Sequence, residues 1–204
     1  PTMHPRHTIG LGDPLHEADI PPHEQLNDGL PQSFEACVKT YGLHYFKIKL
    51  PRDPEQALGR LKTIAGIIHA NQSECHVTID GNEAFENIQA FQESWDFLRA
   101  DPQVATFIDQ SLLLIEQPLH RDTALEPEVG QALNAWSNHP PIIIDESGGA
   151  PEALPQALAQ GYAGTSHKNC KGVIHGIANA CLLQHRRNQD PAHAYHMTAE
   201  DLMN

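Results

Sequence analysis

The sequence predicts an α/β fold, a (β/α) barrel of the TIM type that is incomplete, with about six to seven β/α units. Three observations predict it. Strand-like runs alternate with helix-like stretches along the whole chain. The runs are too short and too apolar to keep one face in water, which argues for a parallel sheet covered by helices. One strand after another also ends on a reactive side chain, as expected where every barrel strand presents its carboxyl end to one mouth. An open doubly wound sheet would place its site at a change of strand order, usually with a glycine-rich phosphate loop. Gly10-Leu11-Gly12 is too short for that fingerprint.

Residues 7 to 12 read as the first strand, followed by a loop rich in Pro, Asp and His to about Leu30, a length that often signals function. Pro31 to Gly42 carries apolar residues at helical spacing and stops at a glycine. The second strand is residues 44 to 50. Asp53-Pro54 then starts a helix, with Asp as cap and Pro at the first helical position, and its stripe of Leu58, Leu61, Ile64, Ile67 and Ile68 runs to about Ala70. Residues 75 to 80 form a strand, and a helical stretch from Glu86 to Gln110 breaks near Asp101-Pro102. Strands at 112 to 115, 142 to 145 and 162 to 168 lead to helices near 125 to 138, 151 to 160 and 173 to 187.

A chain of 204 residues can bury a sizeable core, and one barrel domain over 1–204 is the simplest organisation. Thirteen basic against twenty-six acidic residues give a net charge of -13, which excludes nucleic acid and anionic membrane as expected partners. Apolar runs such as Ser-Leu-Leu-Leu-Ile at 111 to 115 fall far short of a membrane span, and the N-terminus shows no apolar signal segment. Cys37, Cys75, Cys170 and Cys181 lack CxxC spacing, as expected of reduced thiols in a soluble, cytoplasmic protein.

The second strand, His-Tyr-Phe-Lys-Ile-Lys-Leu, puts Lys47 and Lys49 on one face and Phe46, Ile48 and Leu50 on the other. Taken alone it reads as an antiparallel strand with its lysines in water; within a helix-covered parallel series the lysines look inward, where lysine needs a partner. Asp80, Glu116 and Asp145 end the third, fourth and fifth strands, and Lys168 the sixth. Three carboxylates on adjacent strand ends suit a hard divalent cation, magnesium first, that keeps open positions for substrate. Each acid taken singly could instead cap the next helix, a role that suits Glu116 least. Glu146 is the second choice of ligand beside Asp145 and should project to the opposite side, while Asn82 shares the face of Asp80 if the strand continues and would orient a ligand from behind. Burial, mutual repulsion and a nearby cation disfavour a lysine's charge and carboxylates favour it. A base of this kind beside a cation suits removal of a proton alpha to a carboxylate.

The chain resembles the enolase superfamily, and within it the mandelate racemase and muconate lactonizing enzyme-like group. The residues that carry the resemblance are Lys-Ile-Lys at 47 to 49, Ile-Asp-Gly-Asn at 79 to 82, Ile-Glu-Gln-Pro at 115 to 118, Ile-Asp-Glu-Ser at 144 to 147 and His-Lys-Asn-Cys-Lys-Gly at 167 to 172, in the family's order. The resemblance implies a modified TIM barrel with Asp80, Glu116 and Asp145 as ligands of Mg2+, or Mn2+. It implies Lys49 and Lys168 as the acid/base pair and Lys47 as a supporting cation near a substrate carboxylate. The implied reaction passes through an enediolate and is a racemisation or epimerisation, a cycloisomerisation or a dehydration of a small carboxylate.

The departures from the pattern are expectations too. The family's capping domain is missing ahead of the first strand, and the closing strands are absent or reduced to Ala192 to Met197. The sixth segment lacks the family's glycine pair, which makes Lys171 the alternative to Lys168, although one strand-helix-strand unit from Asp145 fits Lys168 better. An unclosed barrel exposes strand edges, so a homo-oligomer or further chain segments would complete it. The competing function is a non-catalytic or incomplete barrel acting as a binding or assembly module. Zinc at His193 and His196 wants further ligands nearby, Arg186-Arg187 suit a helix end, and Trp95 and Trp136 read as packing residues.

Overall fold

The computed structural model describes residues 3–71 and 74–200. The chain divides into two compact units, Pro1–Asp80 with Glu93–Leu113, and Gly81–Gln92 with Leu114–Asn204. In chain order the elements are β1 (His7–Ile9), α1 (Phe34–Tyr41), β2 (Tyr45–Lys49), α2 (Pro54–Asn71), β3 (His76–Asp80), α3 (Ile88–Arg99), α4 (Pro102–Ser111), β4 (Leu112–Glu116), α5 (Pro127–Ala135), β5 (Ile142–Ile144), α6 (Ala153–Ala159), β6 (Gly164–Lys168), α7 (Val173–Gln189) and β7 (His196–Glu200). No helix among the described residues is long and apolar enough to cross a membrane.

In the first unit β2 lies between β1 and β3 and is parallel to both. Phe46, Lys47 and Ile48 are all buried, so neither face of the strand is wet and the antiparallel reading is excluded. Ser33 caps α1 by accepting from the Ala36 N–H, which is why the helix starts at Phe34 rather than Pro31, and Gly42 ends it at φ 57. Asp53 accepts from the Gln56 N–H ahead of α2. Leu61, Ile64, Ala65 and Ile68 form the buried stripe of that helix, each large side chain contributing roughly 1.5–3 kcal/mol on burial. Asp101 caps α4 and Pro102 opens it, giving the break in the long helical stretch its physical cause.

The loop after β1 holds two 3-10 turns, Glu17–Asp19 and Pro22–Glu24, and walls a cavity of about 610 Å3 beside Leu15, Ile20 and Arg60. None of the sequence-predicted site residues lines it.

In the second unit β4, β5, β6 and β7 pair in parallel and in chain order. Leu114, Ile143 and Ala163 pack together at its core. A strand does follow α7, and it runs His196–Glu200 rather than ending at Met197. Its approach depends on Gly164, where a Cβ would overlap the His196 carbonyl. The segment after β3 lies against the segment after β4: Gly81 N–H donates to Glu116 O at 2.8 Å and Phe85 N–H to Pro118 O at 3.0 Å. A Cβ on Gly81 would sit 2.5 Å from the Pro118 Cα. Gly81→Ala should therefore destabilise the chain by about 1–3 kcal/mol through backbone displacement, read as a lower urea midpoint.

Candidate active site

In the first unit Lys47 stands opposite Thr78 and Lys49 opposite Asp80. The Lys47 Nζ is 2.8 Å from Asp80 Oδ2, with both side chains 2% exposed. Removing two such ions from water costs roughly several kcal/mol each, and an apolar pair of similar volume would usually stabilise the fold as well. A buried pair of this kind is therefore weak evidence of a gain in stability. Lys49, at the end of the strand, is half-buried.

In the second unit Glu116 and Asp145 are buried at the ends of β4 and β5. Asp145 Oδ2 is 2.6 Å from Lys168 Nζ. Lys171 Nζ donates to Asp145 Oδ1 at 2.7 Å, to Asp145 O at 2.6 Å and to Ser166 O at 2.9 Å. An ammonium has three hydrogens, so these three bonds use all of them. Lys168 is held differently. Besides Asp145 it meets Glu200 Oε2 at 3.3 Å and Glu146 Oε1 at 4.0 Å, and Glu200 is its register partner on β7. Glu200 and Glu116 in turn offer carboxylate oxygens within 4.8 Å of one another.

Burial raises the Asp145 carboxyl, but hydrogen bonds and charge from Lys168 and Lys171 outweigh it and hold the group below its ordinary range. Burial likewise works against the Lys168 ammonium. The hydrogen bond and charge of Asp145, with Glu200 and Glu146 behind it, prevail and hold it above the usual lysine range. Of the opposing influences weighed from sequence, the carboxylates win at this lysine.

None of the three acids caps the next helix. Asn87 Oδ1 accepts from the Ala90 N–H at the start of α3, and the cap positions of α5 and α6 are Glu126 and Glu152. Two expected orientations change because their strands stop early. β3 ends at Asp80, and Asn82 follows in a left-handed turn at φ 43, so period-two alternation does not carry to it. β5 ends at Ile144, and the turn closed by Gly148 N–H on Asp145 O brings Glu146 toward Lys168 rather than to the opposite side.

Glu200 escapes a sequence reading that stops at Met197, although His196, Thr198 and Glu200 keep the period-two spacing of a strand. Gln117, between a strand-end glutamate and a proline, escapes it as well. It is buried and sits at φ 35, a conformation that costs a non-glycine residue about 1–2 kcal/mol. The remaining candidates are structural. The His167 ring packs on Gly176, Arg187 donates to Tyr195 O, Trp95 is buried, and Trp136 meets the Phe91 ring. Among the described residues no group of three metal-ligating side chains includes His193 or His196.

No protein-family model and no curated protein matches the chain. Solved structures do. A mandelate racemase/muconate lactonizing protein from Herpetosiphon aurantiacus superposes with a TM-score of 0.68 at 17% identity, covering 99% of this chain and 48% of that one. A mandelate racemase/muconate lactonizing enzyme from Roseiflexus sp. gives 0.60 at 18% identity over 80% of this chain and 42% of that one. An o-succinylbenzoate synthase from Thermosynechococcus elongatus BP-1, complexed with magnesium in its active site, gives 0.53 at 19% identity over 83% and 49%. The fold is thus the TIM-type barrel of these proteins, present in part, with parallel strands and intervening helices in each unit. The chain spans about half the length of the solved proteins it resembles.

The loops after β3 and β4 are tied by Glu83, which accepts from the Arg121 N–H, Nε and Nη2 at 2.8, 2.7 and 2.6 Å. The side-chain bonds from Arg121 hold the Glu83 carboxyl below its ordinary range. A depressed folded value means that the stabilisation is present above the ordinary glutamate range and is lost as the pH falls through the depressed value. Glu83→Gln should lower the urea midpoint at neutral pH and converge with the unsubstituted chain in acid.

Proposed function

We propose that this chain carries the cation-binding and proton-transfer residues of an enolase-superfamily enzyme that removes a proton alpha to the carboxylate of a small substrate. The observation that carries the reading is the pairing of buried carboxylates at the carboxyl ends of parallel strands with lysines of neighbouring strands, Asp80 with Lys47 in one unit and Asp145 with Lys168 in the other. Asp80, Glu116 and Asp145 would hold Mg2+ or Mn2+. The donor set fits such an ion, since it is all oxygen, and buried Glu116 lies close to the carboxylate of half-buried Glu200. Magnesium in the active site of the o-succinylbenzoate synthase with this fold supports the same choice. When bound, the cation would supply positive charge against the negative charge that develops on the substrate carboxylate.

The chain's own residues do the rest. Lys49, half-buried at the end of β2, is the residue that takes the alpha proton. Lys168, kept as an ammonium by its carboxylate neighbours, is suited to return a proton. Lys47 neutralises Asp80 and adds positive charge for the substrate carboxylate. A donor and an acceptor on opposite faces of one carbon serve racemisation or epimerisation, and a single base serves cycloisomerisation or dehydration.

Magnesium titration by calorimetry and solvent-deuterium uptake into a library of carboxylates, followed by NMR in heavy water, test the proposal. Glu116→Gln should abolish tight magnesium binding, while Lys49→Ala should retain it and lose deuterium uptake. Unchanged magnesium affinity in Glu116→Gln would remove the ligand assignment. Absence of binding by the unsubstituted chain would favour a non-catalytic binding module.

A further inference from the structure

We infer that Gln117 is a positioning residue that fixes Glu116 and Asp145 relative to one another; the inference rests on the proposed cation-binding reading. Gln117 follows Glu116 directly, and its side chain reaches across to the end of β5. Its Oε1 accepts from the Asp145 N–H at 2.7 Å and the Ser147 N–H at 3.2 Å. Its Nε2 donates to Leu119 O at 2.7 Å and to Ser147 Oγ at 2.8 Å. A primary amide has two donor hydrogens and two acceptor lone pairs, and all four are used within a site where Gln117 is 1% exposed. Its backbone is equally engaged, the N–H with Ile143 O and the carbonyl with the Glu83 N–H, each at 2.9 Å.

The left-handed φ of 35 separates this role from that of an ordinary turn residue. Glycine makes such a turn without strain and asparagine with little, so backbone geometry alone does not call for glutamine. What glutamine adds is the reach of its amide to the peptide of Asp145. From the other side Lys171 holds that residue's carbonyl and Oδ1. Asp145 is thus clamped at its N–H by a side chain from the end of β4, and at its carbonyl and carboxylate by Lys171. Groups that orient a ligand without touching the ion typically change metal affinity by about 10–100-fold when removed.

The test uses the full chain with manganese alone as the probe, free ion being read by electron paramagnetic resonance. Thermal midpoints and amide hydrogen exchange at Asp145 and Ser147 are measured alongside. Gln117→Gly keeps or relaxes the turn and removes the amide. Gln117→Asn keeps an amide suited to a left-handed φ but shortens its reach, and serves if the glycine variant does not fold. Leu183→Ala, a core substitution in α7, controls for lost stability. Both Gln117 variants should weaken manganese binding about tenfold or more and speed exchange at Asp145 and Ser147, while Leu183→Ala leaves the affinity unchanged. Wild-type affinity in a folded Gln117 variant, or a loss no larger than that of Leu183→Ala, would overturn the inference and leave the proposed function standing. A wild-type chain that binds no manganese would remove both.

Discussion

A charge withdrawn from water must receive from the protein what water supplied, and this requirement organises both units. Lys47 with Asp80, and Lys168 with Asp145 and Glu200, meet it with partners from neighbouring strands. Parallel strands lie roughly 4.8 Å apart, a spacing that brings the end of one strand within side-chain reach of the next. The sheet therefore does more than display reactive groups. It supplies Asp80 and Asp145 with the counter-charge that lets them stay inside.

The two lysines three residues apart show how the same chemistry is divided. Lys171 spends its hydrogens on two carbonyls and one carboxylate oxygen, which makes it part of the wall. Lys168 faces carboxylates at 2.6, 3.3 and 4.0 Å, so charge rather than fixed carbonyls holds it. Spacing along the chain separates Lys168 from Lys171, and so do the contacts each makes.

Most of the architecture is legible in the sequence because it is written locally. Apolar runs such as Ile142–Ile144 announce strands covered on both faces, Asp101-Pro102 announces a helix end and a new start, and the alternation at 44 to 50 turns both lysines to one side. Asp80 and Glu116 are readable because each is the last residue of its strand, and Asp145 because it follows the last residue of an apolar one. What fails is inference past the last hydrogen-bonded residue of a strand. Asn82 and Glu146 lie beyond that point, where a turn rather than the pleat sets direction. Gln117 and Glu200 are hidden for another reason. Their partners, Asp145 and Lys168, lie 28 and 32 positions away, and no local period encodes an amide that bridges two strands.

Gly164 carries a further consequence. Because the His196 carbonyl occupies the space a side chain would need there, β7 can dock only where position 164 is bare backbone. Docking of β7 also delivers Glu200 to Lys168. A residue with no functional group thereby governs how the last strand docks. Its hydrogen-for-methyl margin decides whether the acid on the last strand reaches its lysine.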